Sequence, residues 1–371
     1  FLVYTSRLCA WRYIWQAYQI QRRGYRWSNS YRYRSQNIYR THPIEFIIHN
    51  ISFLTPNFIA KGSNTFGSTF LINMKILHLR HNEIDRVRWD ATIAQSLCDL
   101  PYAYSWYLDV VCPMWEALVT EDYAYVIPLP LKKKWGISYL IHPIWVQQLG
   151  IFSAQEVTTE IFESFRCRIP YLVYDFNINY INKDCILSRC LLKTNLIIPY
   201  CEDINTIRRG YNSNTKRNIS KAQKAGLTIR EVKIEDFVSL WKSENTTMRW
   251  DLHSTIQPLV EAAYSQLSTH ILGVYSGNQL MASLFGIQTR ERFIYLIPVS
   301  NKLGKEHSAM FLLVDYILEN ICCPQGLIFD CEGSMIPGVA RFYQGLGAKE
   351  QSYASISRCR PQWLVRLLHH R

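Results

Sequence analysis

The pattern of apolar and polar positions is most regular between residues 309 and 348, where it changes period twice. Residues 309–321 have apolar side chains at helical spacing on most turns, which predicts a buried helix. The β-rich run GLIFDCEG at 326–333 predicts a short strand. The amphipathic run GVARFYQGLGA at 338–348 then predicts a second helix that ends in glycine.

A three-strand meander is predicted upstream of these elements. THILGVYS, QLMASLFGIQT and RFIYLIPVS are rich in β-branched and aromatic residues, and polar turns at 277–278 and 290–291 separate them. LTIREV before them predicts a strand, and helices are predicted at 234–244 and 258–267. The second half therefore contains a strand, helices, three strands, a helix, a strand and a helix.

A basic helix is predicted between the two halves. Ser213 or Asn214 can cap it, and Gly226 ends it. Its exposed face carries Lys216 and Arg217. This face suits a polyanionic partner, because Arg makes paired hydrogen bonds with phosphate. The same pattern is also typical of a helix face that only meets water.

The segment from residue 74 to residue 200 predicts a mixed unit of helices and strands. Helices are predicted at 85–97 and 154–166, and the β-rich runs within 115–131 predict a hairpin around an acidic turn. Strand-like YLVYDFNIN and CLLKTNLIIPY complete this unit. Both halves are therefore of the α+β class.

Residues 1–73 differ from the rest of the chain in charge and in pattern. They hold eight Arg and one Lys against the single acid Glu45, whereas the rest of this +12 chain holds 32 basic and 28 acidic side chains. We expect Met74 to be the natural start and this basic leader to be translated upstream sequence. An organellar targeting segment and a nucleic-acid-binding arm are the alternatives. The balanced charge elsewhere argues against a nucleic-acid partner.

Cysteine and hydropathy patterns favour a soluble, cytoplasmic protein. The 11 cysteines include no CxxC pair, so we expect reduced thiols rather than a disulfide framework. No run reaches the roughly 18 apolar residues that span a bilayer. His142, His253 and His307 lack metal-binding spacing, and we expect no metal cofactor.

These segments resemble a known family. NTKRNISKAQKAGL, the meander and FDCEGSMIPGVARFYQGLGA are similar to the Fem-type branch of the GNAT superfamily, and most similar to bacterial acetyltransferase-like proteins typical of Bacteroidetes. The resemblance implies an α+β fold of two tandem GNAT-like domains, each a mixed central sheet flanked by helices. The implied boundaries are 74–200 for the first domain, 201–226 for a basic connecting segment and 227–371 for the second domain.

The resemblance also implies a binding site for acyl-CoA, such as acetyl-CoA, as co-substrate. In this superfamily the pyrophosphate lies at the start of the helix after the fourth strand, where free N–H groups and the helix dipole favour an anion. The matching positions are Val299, Ser300, Gly304, Lys305, His307 and Ser308. Gly304 is the one glycine of this loop, so a plain strand-to-helix connection is the alternative.

Two residues match positions of catalytic groups in the family. Glu332, with Asp330 two residues before it, would orient or deprotonate the substrate amine, and Tyr343 would protonate the leaving thiolate. The alternatives are that Glu332 only caps the next element and that Tyr343 only packs in the core. Lys216, Arg217, Arg249 and Trp250 are further candidates for substrate binding.

The resemblance implies an N-acyltransferase that moves an acyl group from acyl-CoA to an amine, on a small molecule or on a cell-wall or polysaccharide precursor. A Fem-like transferase that takes its acyl group from aminoacyl-tRNA is the first alternative. A catalytically silent GNAT-fold binding module is the second.

Overall fold

The computed structural model describes residues 74–134, 136–187, 190–248, 250–333 and 336–359. The strands are β1 (Ile76–Leu79), β2 (Glu116–Thr120), β3 (Val126–Leu129), β4 (Leu131–Lys134), β5 (Ile137–Ile141), β6 (Val173–Ile178), β7 (Leu191–Ile198), β8 (Thr228–Glu231), β9 (Ser268–Ser276), β10 (Gln279–Gln288), β11 (Arg292–Ser300), β12 (Ile328–Asp330) and β13 (Lys349–Cys359). The helices are α1 (Arg86–Gln95), α2 (Ser105–Val111), α3 (Thr159–Arg168), α4 (Ile204–Arg209), α5 (Ser213–Lys224), α6 (Ile234–Glu244), α7 (Trp250–Gln266), α8 (Lys302–Glu306), α9 (Ala309–Ile317) and α10 (Pro337–Gly345). Helix α9 continues through a π-helical turn (Leu318–Cys322) and a last α-helical turn (Cys323–Gln325).

One ten-stranded mixed sheet runs through both halves of the chain. Its strand order is β4-β5-β6-β13-β7-β12-β11-β10-β9-β8, while β1, β2 and β3 form a separate three-stranded sheet. Most neighbours are antiparallel. The two parallel pairs, β5 with β6 and β11 with β12, lie at matching places in the two halves.

The two halves exchange their last strands. Strand β7 follows β6 in sequence but pairs with β12 and β13, and β13 pairs with β6 and β7. Each half therefore completes the sheet of the other. All the described residues belong to one compact unit, and the domain boundaries expected at 200 and 227 stay a prediction.

Helices cover both faces of the second half of the sheet. Phe237 and Trp241 of α6 and Leu259 of α7 pack on one face, in the core that also includes the first half's helices α1 and α2. Leu313 of α9 and Tyr343 of α10 pack on the other face. Burial on both faces is what the nearly continuous apolar runs of β10 and β11 require.

Most predicted elements are present, with shifts at their ends. The predicted helix 85–97 is α1, and its cap is Asp85, whose carboxylate accepts N–H bonds from the first turn. The helix predicted from 154 starts only after Thr158, which caps α3. Asn212, rather than Ser213 or Asn214, caps α5.

Helix α7 is longer than predicted. It begins at Trp250 rather than at Pro258, which lies inside it. Proline is typical of a first helical turn, so the sequence predicts that the helix starts at this proline. Packing of Ile256 and Leu259, both fully buried, extends the helix on the N-terminal side.

The predictions for the basic leader lie outside the described residues. None of the helices in the described ranges has the length and apolar composition needed to cross a membrane. Within those same ranges, no group of three or more His, Cys, Asp and Glu side chains is arranged to hold a metal.

Candidate functional site

Strands β11 and β12 separate after a short stretch of parallel pairing. Their last paired residues are Ile294 and Asp330, and β11 then continues to Ser300 while Cys331 donates its N–H to Leu196 of β7, at 3.0 Å. The chain after β12 thus follows β7 and leaves β11. The backbone edge of β11 beyond Ile294 faces this gap.

A β-bulge in β11 coincides with the separation. The β10–β11 register shifts between the pairs Phe285–Ile297 and Ile287–Ile294, so β11 has one residue more than β10 in this interval. A bulge bends a strand and increases its twist. The bulge therefore turns the end of β11 away from β12.

A cleft of about 400 Å³ lies along β11 beyond this point, a size within the range of about 300–1,000 Å³ typical of small-molecule sites. Strand β11, the loop to α9 and helix α10 line it. The lining residues are Tyr295, Pro298, Val299, Ser300, Gly304, Lys305, Ser308, Met310, Phe311, Gly338, Val339, Phe342 and Tyr343. Five of the six residues expected to bind acyl-CoA are among them; the partly buried His307 is not.

The first turn of α9 offers free N–H groups to this cleft. Ser308 precedes the helix in the left-handed conformation, with φ +60°. No side chain caps this turn, and the first N–H groups of an α-helix have no acceptor within the helix itself. The exposed cation Lys305 lies at the same end. Together these groups favour an anion.

Gly304 contributes to the cleft through packing rather than through its N–H. That N–H already donates to the Asn301 side chain, at 2.8 Å. A Cβ at this position would lie 2.3 Å from the Met281 carbonyl oxygen. Glycine is therefore required because α8 approaches β10 closely, a reason different from the pyrophosphate contact implied by the resemblance.

Tyr343 lies on the cleft wall. Its ring meets that of Tyr295 edge-on, with centroids 5.9 Å apart. Burial raises the pKa of Tyr343 well above its ordinary value, with smaller contributions from Tyr295, Cys331 and Glu332. Tyr343 therefore stays protonated at neutral pH and can donate a proton.

Glu332 lies in the turn that leads the chain away from β11. It has φ +55°, which is uncommon for a residue with a side chain, and its N–H donates to Asp330 at 3.0 Å. Its carboxylate accepts a hydrogen bond from the Tyr102 hydroxyl. Burial raises the pKa of Glu332 well above its ordinary value, the Tyr102 hydrogen bond opposes this rise, and Asp330 adds to it.

Glu332 is near the cleft but does not line it. Its charge contributes to the raised pKa of Tyr343, which faces the cleft, so the two groups are close enough to interact electrostatically. The partly buried carboxylate is thus placed beside the cleft, on the side where the first half of the chain supplies Tyr102.

The structure corrects the role expected for Asp330. This residue is completely buried, and its carboxylate oxygens accept hydrogen bonds from Asn195 at 2.9 Å and Arg292 at 2.8 Å. It ends β12, whereas Glu332 lies beyond the strand, so the two do not share a strand face. Asp330 therefore joins β12 to β7 and β11, and its carboxylate is already used by these bonds.

The other candidate binding residues lie away from the cleft lining. Lys216 and Arg217 are exposed on α5, whose Asn218 accepts a hydrogen bond from Ser308 at 3.0 Å. Trp250 is exposed at the start of α7. Arg249 lies outside the described residues.

The first half does not repeat the separation of its parallel strands. Residues 143–148 leave the sheet after His142, whose N–H still bonds to Asp175 of β6, and the chain returns at Leu149, whose N–H and carbonyl bond to Asn177 and Asn179 of the β6 region. Within that excursion, the indole N–H of Trp145 donates to Thr255 of α7, at 3.0 Å. The first half thus uses this segment to pack on the second.

Comparisons with known proteins support the fold. Neither the family models nor the curated proteins contain a match. Among solved structures, FemX matches with a TM-score of 0.58 at 10% identity, covering 80% of this chain and 100% of FemX. The chain has the fold of FemX. The C-terminal DUF2156 domain of a candidate lysylphosphatidylglycerol synthetase from Agrobacterium fabrum matches with a TM-score of 0.54 at 10% identity, covering 76% of this chain and 95% of that domain.

This match confirms the α+β class expected from the sequence, with a mixed sheet flanked by helices. Several site residues were not identified from the sequence. Tyr295 carries a single hydroxyl within an otherwise apolar strand, and this is only a weak sequence signal for a functional residue. Tyr102 has no local signal, because 230 positions separate it from Glu332.

Proposed function

We propose that this chain is an N-acyltransferase that moves an acyl group from acyl-CoA to an amine. The observation that carries this proposal is the cleft along the end of β11, with the first turn of α9 at one end and Tyr343 on its wall. The fold alone supports no particular chemistry.

The cleft has the chemical features that a CoA thioester needs. Val299, Phe311 and Val339 give it apolar walls, which suit the pantetheine chain. The unpaired edge of β11 can hydrogen-bond the pantetheine amides in the manner of an added strand. Lys305 and the first turn of α9 suit the pyrophosphate.

The proposed reaction is direct attack by the amine on the thioester carbonyl. Glu332 accepts a proton from the attacking amine through one water, and Tyr343 donates its proton to the departing thiolate. A new C–N bond replaces the C–S bond. Burial raises the pKa of both groups, so Tyr343 keeps its proton until the thiolate forms and an ionised Glu332 is a stronger base than an exposed carboxylate.

Calorimetric titration of acetyl-CoA into the full chain tests the donor. We expect micromolar binding to the wild type, and affinity weakened at least about tenfold in Val339→Trp, because the indole would fill the cleft. Val339 is 36% exposed, so the larger side chain does not crowd the core. Val87→Trp, on the exposed face of α1, is the control and should bind normally. No binding by the wild type would exclude acyl-CoA as the donor.

Aminoacyl-tRNA is the second candidate donor. It is supported by the FemX fold and by the exposed cations Lys216 and Arg217 on α5, a helix that packs against both α9 and α10. Replacing both with Ala should weaken binding of charged tRNA and reduce its salt dependence, because fewer phosphates are neutralised. An unchanged salt dependence would show that these two residues contact only water and not the tRNA.

Substrate class and location are parts of this proposal. The acceptor is a small-molecule, cell-wall or polysaccharide-precursor amine, and the protein acts in the cytoplasm. The first domain, 74–200, shapes the acceptor side, and the second, 227–371, holds the donor.

A further inference from the structure

We propose that Tyr102, contributed by the first half of the chain, is a positioning residue that holds Glu332 in the orientation and the ionised state that a base requires. This inference rests on the proposed function of Glu332. It means that neither half of the chain forms the reactive centre alone.

The hydrogen bond between these two residues is built into a rigid setting. Tyr102 is fully buried in the short 3₁₀ turn Pro101–Ala103, and its ring packs edge-on against Tyr107 with centroids 5.7 Å apart. The Tyr107 hydroxyl donates to the Trp145 carbonyl oxygen. Tyr102 is therefore fixed by its neighbours, and its hydroxyl is directed at the Glu332 carboxylate.

The backbone of Glu332 is fixed from the opposite side. Its N–H donates to Asp330, which is held in turn by Arg292 and Asn195. Next to it, a Cβ at Gly333 would lie 2.5 Å from the Thr194 carbonyl oxygen. The turn thus has little freedom, and the Tyr102 hydroxyl decides where the carboxylate points.

The hydrogen bond also favours the charged carboxylate. A hydroxyl that donates to a carboxylate stabilises the ionised form, and here it opposes the effect of burial on the pKa of Glu332. The other titratable groups that influence this centre electrostatically are Asp330, Tyr107, Tyr343 and Tyr353. Of the groups that influence the pKa of Glu332, Tyr102 is the one that lowers it.

The ionisation of Glu332 can be measured without any assay of activity. The full chain is labelled with ¹³C at the glutamate side-chain carboxyl carbon, and the Glu332 signal is assigned by its loss in Glu332→Gln. We expect the signal to titrate at least about one pH unit higher in Tyr102→Phe than in the wild type. Tyr107→Phe is the matched control: it removes a neighbouring buried hydroxyl that bonds to a backbone carbonyl rather than to Glu332 and keeps the ring that packs on Tyr102, so it should move the midpoint far less than Tyr102→Phe does.

A second measurement covers the case in which Tyr102→Phe does not fold. A ring-fluorinated tyrosine at position 102 keeps the aromatic ring and the hydroxyl, but its more acidic hydroxyl is a stronger hydrogen-bond donor. The Glu332 midpoint should then move downward, because a stronger donor stabilises the ionised carboxylate further. The same analogue at position 107 is the control and should leave the midpoint unchanged.

The outcomes separate this inference from the proposed function. An unchanged Glu332 midpoint in a folded Tyr102→Phe protein, or in the protein with the fluorinated ring at position 102, overturns the role of Tyr102. A shifted midpoint together with no acyl transfer from acyl-CoA or charged tRNA supports Tyr102 and rejects the proposed function instead. Where transfer is detected, the acidic limb of the pH profile of kcat/KM should shift to higher pH in Tyr102→Phe, by the same number of pH units as the Glu332 midpoint.

Discussion

Arg292 and Asp330 form a buried ion pair at 2.8 Å across the two parallel strands whose separation opens the cleft. Both side chains are almost completely excluded from solvent, and Arg292 also lies over the Tyr180 ring, 4.5 Å from its centroid. The pair sits where β11 and β12 are last joined. It therefore marks the closed end of the gap.

Removing one partner of this pair should be strongly destabilising. Arg292→Met leaves Asp330 buried without its counter-charge, a change that costs about 3–5 kcal/mol. Urea unfolding measures this loss. Lys75→Met is the control, because it breaks the exposed pair with Glu121 and should cost at most about 1 kcal/mol. Similar losses in the two variants would show that the buried pair has no special role.

Glu332→Gln should lower turnover by about 10²-fold or more, the usual scale for a general base. Affinity for acetyl-CoA should be unchanged, because Glu332 does not line the cleft. Steady-state kinetics combined with calorimetry separates the two quantities. A near-normal rate would show that Glu332 has only a structural role in the turn.

The same substitution should change how stability depends on pH. The pKa of Glu332 in the folded chain is raised above its ordinary value of 4.5, mainly by burial. The folded state therefore holds this proton more tightly than the unfolded state, so the contribution of Glu332 is fully present below about 4.5 and is lost as pH rises toward the folded pKa. Urea unfolding of wild type and Glu332→Gln from about pH 4.5 upward should show the wild type losing stability relative to the variant. Parallel curves would contradict the raised pKa.

The sequence predicted the local elements of this site but not the contacts between distant parts of the chain. The helix, strand and helix at 309–348 carry their own periodic signals, and these located Tyr343 and Glu332. The exchange of β7 and β13 depends on pairing between strands far apart in sequence, and so does the bond from Tyr102. The sequence shows a carboxylate at position 330, but the spacing of residues does not reveal that this carboxylate is buried against Arg292.

Tyr343→Phe should lower kcat while leaving acetyl-CoA affinity and stability nearly unchanged. The phenyl ring keeps the edge-on contact with Tyr295, and only the proton donor is lost, which costs about 10²-fold or more for general acid catalysis. Tyr295→Phe, the neighbouring cleft hydroxyl, is the matched control and should retain a higher kcat. Equal rates for Tyr343→Phe and wild type would leave Tyr343 as a packing residue.

Substitutions of Gly304 and Lys305, in the same loop, should have different effects: the first should lower the stability of the fold, and the second should weaken donor binding. Gly304→Ala places a Cβ 2.3 Å from the Met281 carbonyl oxygen, and overpacking of this kind costs about 1–3 kcal/mol. Lys305 is exposed and makes only a 3.5 Å pair with Glu244, so Lys305→Ala should change stability by less than about 1 kcal/mol. The lysine variant should nevertheless weaken acetyl-CoA binding, because it removes a cation beside the first turn of α9. Calorimetry and urea unfolding of both variants check this, and unchanged affinity in Lys305→Ala would remove that side chain from the donor site.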